Sequence, residues 1–253
     1  ALKEYWDEGA GGLRTFVSNL GEVSTGSSTR ILEGHTINEY YMLTPYQGDA
    51  SYFDDFGMVN INGGPKDGMI RTEMDMAWLQ AMIASGYTFY PMQGVGKDKI
   101  WYGDYIYADV DGDGIYGNTY DNVFTGKSST PKFTFGFQGS FGWKGLDLQF
   151  SFAGAAGFWL YWNETGANNT GTRIGYNLLS SVAKDHYFYD PANPLDPRTN
   201  TTSKTARLTA NEGNNQQGEK STLHLYRGDY LKLKNLTIGY TLPEKYASKV
   251  FMK

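Results

Sequence analysis

Stretch 132–153, KFTFGFQGSFGWKGLDLQFSFA, decides the fold class. Phe133, Phe135, Phe137, Phe141 and Trp143 fall on one parity of its first half, and Thr134, Gly136, Gln138, Ser140 and Gly142 on the other. After Lys144-Gly145 the alternation resumes, with Leu146, Leu148, Phe150 and Phe152 against Asp147, Gln149, Ser151 and Ala153. Side chains of a strand point to opposite faces in turn, so this is a hairpin with an aromatic wall and a small, polar wall. In a soluble sandwich the aromatic wall faces a core. In an outer-membrane barrel it faces lipid, and the polar wall lines a wet lumen. The aromatic load on one strand favours lipid, but the alternation by itself leaves both open.

Composition agrees with strands. Of 253 residues, 16% are aromatic and 32 are glycine, and helix formers are sparse. A net charge of -5 gives no electrostatic footprint for nucleic acid. Mean hydropathy is -0.49 and no apolar run approaches the ~18 residues of a spanning helix. A barrel stays open on that score, because only alternate residues of its strands meet lipid. Cysteine is absent, so there is no thiol nucleophile or thiolate metal site. The opening ALKEYWDEGAGG does not read as a signal peptide, as is equally expected after removal of a leader.

Outward from the hairpin, 230–242 (YLKLKNLTIGYTL) reads as a strand. Its apolar parity switches from Leu231 and Leu233 to Leu236, Ile238 and Tyr240, so a bulge is expected near Lys234-Asn235. Residues 30–43 read as a broken strand bent at Gly34, 44–68 as a turn-rich loop, and 100–108 as a strand. The best helix is 73–85, with Met74, Ala77, Trp78, Ala81 and Met82 at helical spacing and Gly86 as its stop. Stretch 163–220 is a long polar loop containing PANPLDP and the aromatic HYFY of 186–189, a set of rings suited to anchoring a partner.

Three clusters carry candidate chemistry. Asp109, Asp111, Asp113 and Gly114 match the first half of a calcium loop, in which alternate carboxylates wrap a hard cation. Tyr120 falls where the closing carboxylate belongs, Asp121 comes one residue later, and Asn118 offers an oxygen. The other reading is a glycine-bent turn whose Asp side chains bond their own backbone. Trp159, Tyr161 and Trp162 would stack on sugar rings, or form the aromatic girdle of a membrane interface. His35, His186 and His224 have no metal-ligand spacing, and no nucleophile elbow, P-loop or dinucleotide glycine pattern occurs.

Four segments in order resemble the C-terminal part of SusC/RagA-type TonB-dependent outer-membrane transporters. GHTINEYY (34–41) resembles the family's Gly-His-Pro-Ile-x-x-Tyr-Tyr, with Thr36 in the proline's place. GDYIYADVDGDG (103–114) resembles its Gly-Asp-x-x-Tyr-x-Asp-x-Asn/Asp-Gly-Asp-Gly box. GKSSTPKFTFGFQGSFGWKGLDLQFSFAG (126–154) resembles its Gly-x-Ser-x-Pro-x-Phe-x-Tyr-Gly-Phe hairpin, and YRGDYLKLKNLTIGYTLP (226–243) its Asp-x-Tyr-Leu-Arg-Leu-Lys-Asn-Leu-x-Leu-Gly-Tyr-x-Leu-Pro strand.

The resemblance implies an all-β chain: a segment of an antiparallel transmembrane β-barrel of about 22 strands, with long extracellular loops and a short loop helix. Residues 1–253 would belong to the barrel domain, with the plug, the TonB box and the last strands outside them. Short periplasmic turns and long extracellular loops orient it: 131–144 descends, 146–155 rises, 230–242 descends, and the acidic loop and 163–220 lie outside the cell. The resemblance further implies import of oligosaccharides or peptides, not catalysis. A SusD-like surface lipoprotein would act as lid and TonB would supply energy. The rival reading is a soluble, β-rich carbohydrate-binding module with a calcium loop.

Overall fold

A computed structural model describes residues 35, 36, 38–91, 93–162, 179–209 and 219–247, with the backbone of three short strands before them. In chain order the elements are β1 (Lys3–Trp6), β2 (Arg14–Val17), β3 (Thr29–Arg30), β4 (Glu39–Met42), α1 (Glu73–Ala84), β5 (Thr88–Phe89), β6 (Ile115–Tyr116) and β7 (Val123–Ser128). There follow β8 (Phe133–Trp143), β9 (Leu146–Ala156), β10 (Trp159–Tyr161), α2 (Ser180–Lys184), β11 (Leu225–Arg227), β12 (Tyr230–Tyr240) and α3 (Glu244–Ala247). Strands predominate, as the composition implied. Two compact units form, one from 1–126 with 161–225 and one from 127–160 with 226–253.

The second unit is an antiparallel sheet in the order β12-β9-β8. Lys144 and Gly145 close the hairpin with φ of +48° and +87°, the paired positive values of a turn whose twist matches that of its strands. Phe133 pairs with Ala156, Phe137 with Phe152 and Trp143 with Leu146, so both apolar parities share one face. On β12, Leu233 pairs with Phe152 and Leu236 with Phe150, and the register shifts between Leu233 and Asn235. The expected bulge is therefore present. It returns Leu236, Ile238 and Tyr240 to the face of Leu231 and Leu233. Because β8 and β12 both run antiparallel to β9, stretches 131–144 and 230–242 run in the same direction, as loop lengths implied.

The first unit is built around α1. Thr72 caps the helix by accepting from Asp75 N at 3.1 Å, and the Asp75 carboxylate accepts in return from Thr72 N at 2.7 Å. Tyr52 OH and Arg71 N also donate to Asp75, at 2.6 and 2.9 Å, turning this acid inward. The buried face is consequently Asp75, Met76, Trp78, Leu79 and Met82. Of the expected stripe, Trp78 and Met82 are inside, whereas Met74 is 52% exposed. Trp78 stacks on Tyr46 at 5.2 Å between centroids and donates Nε1–H to the Asn60 carbonyl at 2.8 Å. Ile70, Ile100, Tyr105, Ile106 and Tyr187 complete the core, most of it supplied by loops.

Three expectations change. Arg30 pairs with Glu39 across β3 and β4, so 30–43 doubles back instead of forming one bent strand. Stretch 100–108 makes only isolated bridges, because Gly103 turns at φ +90° where an added Cβ would meet the Tyr187 ring at 2.5 Å. Tyr187 of HYFY is buried, its hydroxyl donating to the Arg71 carbonyl at 2.6 Å, so this ring serves the unit's own core rather than a partner. Of the polar stretch 163–220, residues 163–178 and 210–218 lie outside the described residues, as does Gly34.

Candidate functional site

The acidic loop connects the core tyrosines to β6 and β7. Asp109, Asp111 and Asp121 bring carboxylate oxygens within 4.8 Å of one another. Asp113 stands apart from that group, accepting instead from Ile115 N at 2.7 Å and Asn118 Nδ2 at 2.9 Å. Asp109 accepts from Gly112 N at 2.7 Å and Gly114 N at 3.0 Å. Asp121 is fully buried and accepts from Val110 N, Gly117 N and Asn118 N at 2.6, 2.8 and 3.0 Å. Burial raises its pKa, against the pull of those N–H groups. Asn118 caps the short 3-10 turn Thr119–Asp121, accepting from Tyr120 N at 2.7 Å. The turn bonds are thus made, and three carboxylates still converge on one small volume.

The aromatic residues at 159–162 have separate surroundings. Lys127 Nζ lies 4.3 Å from the Trp159 ring centroid. Tyr161 N donates to the Tyr40 hydroxyl at 3.2 Å, and its ring meets His224 edge-on at 6.5 Å. Trp162 is 43% exposed, and its N–H donates to the His224 carbonyl at 3.0 Å. The histidines are structural: His35 stacks on Phe124 at 3.8 Å, and His186 Nδ1 lies 3.1 Å from the Val182 carbonyl. Among the described residues no candidate metal-binding group contains histidine.

The apolar sheet face of the second unit is widely exposed. Phe133 and Ile238 are each 68% exposed, and Phe137, Phe141, Trp143, Leu231, Leu236 and Tyr240 also stand open. A soluble monomer seldom leaves so continuous an apolar surface in water. The opposite face carries Thr134, Gln138, Ser140, Gln149, Ser151 and Thr237.

A buried ion pair in the first unit has no signature in the sequence. Arg207 Nε donates to Asp104 Oδ2 at 2.9 Å, and the guanidinium also reaches the carbonyls of Lys97 and Lys99 at 3.0 and 2.9 Å. Asp104 belongs to the GDYIYADVDGDG segment, but Arg207 lies a hundred residues on in a polar stretch without periodicity. Burial pushes the Asp104 carboxyl up to about 6 despite that partner and the Trp101 N–H. Its Oδ1 has no hydrogen-bond partner.

No protein-family model matches the chain. Over 147 residues it is 31% identical to TonB-dependent receptor P3 of Formosa agariphila, a match covering 58% of this chain and 13% of the receptor. Among solved structures, the RagAB peptide importer in its closed-closed state is 19% identical with a TM-score of 0.47, over 93% of this chain and 20% of that one. A second structure, of the RagAB peptide transporter, is 19% identical with a TM-score of 0.48 over the same shares. The chain therefore spans a small part of the proteins it matches. The receptor match bears out, at the level of a TonB-dependent receptor, the resemblance carried by the four segments: this chain is similar to part of such a receptor.

Proposed function

We propose that this chain contributes strands and extracellular loops to the plugged barrel, of about 22 strands, of an outer-membrane active transporter. In this reading β8, β9 and β12 cross the bilayer, with Phe133, Phe135, Phe137, Leu148 and Phe150 toward lipid and the polar parity toward the lumen. The single observation that carries it is the continuous apolar face of three strands, each of 11 residues, the length a tilted strand needs to span a membrane. A soluble carbohydrate-binding module would leave that face uncovered. The tight Lys144-Gly145 turn lies on the periplasmic side, and the acidic loop and 163–220 lie outside the cell.

The intact protein imports oligosaccharides or peptides, with a SusD-like surface lipoprotein as lid and TonB supplying energy. Trp159, Tyr161 and Trp162 are assigned to the substrate path. Calcium is assigned to Asp109, Asp111 and Asp121, where it offsets the repulsion of converging carboxylates and fixes the loop, while Asp113 holds the turn. Growth of the source cells tests the transport reading. Removing the intact protein should abolish growth on one oligosaccharide or peptide source, and so should removing TonB. Undiminished growth on every such source would contradict it.

A further inference from the structure

In the first unit a cavity of about 680 Å³ opens among segments 97–102, 184–190 and 198–208. That volume lies within the range of small-molecule sites. Its walls are rings: Trp101 meets Tyr102 at 5.2 Å between centroids and Tyr102 meets Tyr189 at 5.1 Å, both edge to face. Arg207 also lines the cavity, and its guanidinium ties Asp104 to the Lys97 and Lys99 carbonyls. Phe188 and Asn200 exchange backbone hydrogen bonds at 3.1 and 2.9 Å, so this wall offers no open strand edge to a peptide. The charges are unbalanced. Arg207 is paired with Asp104 and Arg198 with Asp196, whereas Lys97 and Lys184 line the cavity and enter no ion pair among the described residues. Asp190 is the one acid in the lining.

The geometry points to this cavity as a binding site for an oligosaccharide bearing acidic groups, a substrate class that deepens the transporter reading and rests on it. The ring faces of Trp101 and Tyr189 suit the C–H faces of sugars. The Asn200 amide, held by Asp185 Oδ1 at 3.1 Å and Thr202 Oγ1 at 3.3 Å, keeps one further N–H and one lone pair for hydroxyls. Lys97 and Lys184 supply charge-assisted bonds to carboxylate or sulfate.

Titration calorimetry on the intact transporter in detergent tests this, with trigalacturonate and a chondroitin-sulfate disaccharide as acidic probes, maltotriose as neutral sugar and triglutamate as acidic peptide. At least one acidic sugar should bind, more weakly as salt is raised. Its affinity should fall at least tenfold in the Lys97→Met/Lys184→Met variant, which alters only side chains at the rim and keeps the Lys97 carbonyl. Binding of neither acidic sugar, binding unchanged in the double variant, or equal binding of triglutamate would each overturn the site. Uptake by cells, measured in parallel, separates the two readings. Acidic-sugar binding that depends on the lysines, in a protein whose removal leaves all uptake intact, counts against transport alone. Protein-dependent uptake without such binding counts against this site alone.

Discussion

Gly154 stands opposite Phe135 in the β8–β9 pair, and the Phe135 ring covers the space where a side chain at 154 would lie. A Cβ there would come 2.5 Å from the ring's Cζ and 2.7 Å from the Tyr230 carbonyl oxygen. The ring can swing aside, but the carbonyl belongs to the backbone of β12. Gly154→Val is therefore expected to destabilise the sheet by about 1–3 kcal/mol. Gly142→Ala, whose Cβ would meet only Asp147 Oδ1 at 3.4 Å, should be tolerated. Heat-dependent electrophoretic mobility of the intact barrel measures both.

The two faces of β8 should answer a charge differently. Phe137→Arg puts a guanidinium on the apolar face near mid-strand, where a lipid-facing Arg costs about 2–4 kcal/mol. Gln138→Arg puts the same group on the polar face, at little cost. The amount of folded protein recovered from outer membranes should drop for the first variant and hold for the second.

Removing the partner of Asp104 leaves a buried charge exposed to no counter-ion. Arg207→Met should cost about 3–5 kcal/mol in the melting of the first unit. The pH dependence follows from the carboxyl's raised value. The native state holds the Asp104 proton more tightly than the unfolded chain does, so this group's contribution to stability is greatest below about pH 4. That contribution is lost as pH rises through about 6. Asp104→Asn should flatten that slope in melting curves taken between those limits.

Calcium should raise the melting temperature of the intact protein, and Asp111→Asn should remove most of the rise. Asp113→Asn should retain it, because Asp113 points to Ile115 N and Asn118 rather than to the converging group. Identical parent melting curves with calcium and with chelator would leave the loop as a self-bonded turn.

The sheet was legible because its information is local. A period of two, the Lys144-Gly145 turn and the parity switch at Lys234-Asn235 are each written within a few residues. The core of the first unit was not. Tyr102, Tyr105, Ile106 and Tyr107 are buried on both parities, on a loop turned by Gly103 that carries no period at all. Tyr187 and Ala206 reach the same core from a stretch whose composition is that of a loop. At the acidic loop the spacing led to Asp109 and Asp111. Whether Asp113 or Asp121 joined them depended on a fold-back made by Val110 N, Gly117 N and Asn118 N, bonds with no sequence signature.

The central claim is that the aromatic parity of β8 faces lipid. These 253 residues hold no cysteine, and once any cysteine elsewhere in the intact protein is replaced by serine, single cysteines report cleanly. In intact protein within its own membrane, Phe137→Cys and Gln138→Cys should be treated with a water-soluble maleimide. Protection at 137 with labelling at 138 is the expected result. Rapid labelling at 137 with protection at 138 would contradict the membrane-spanning account.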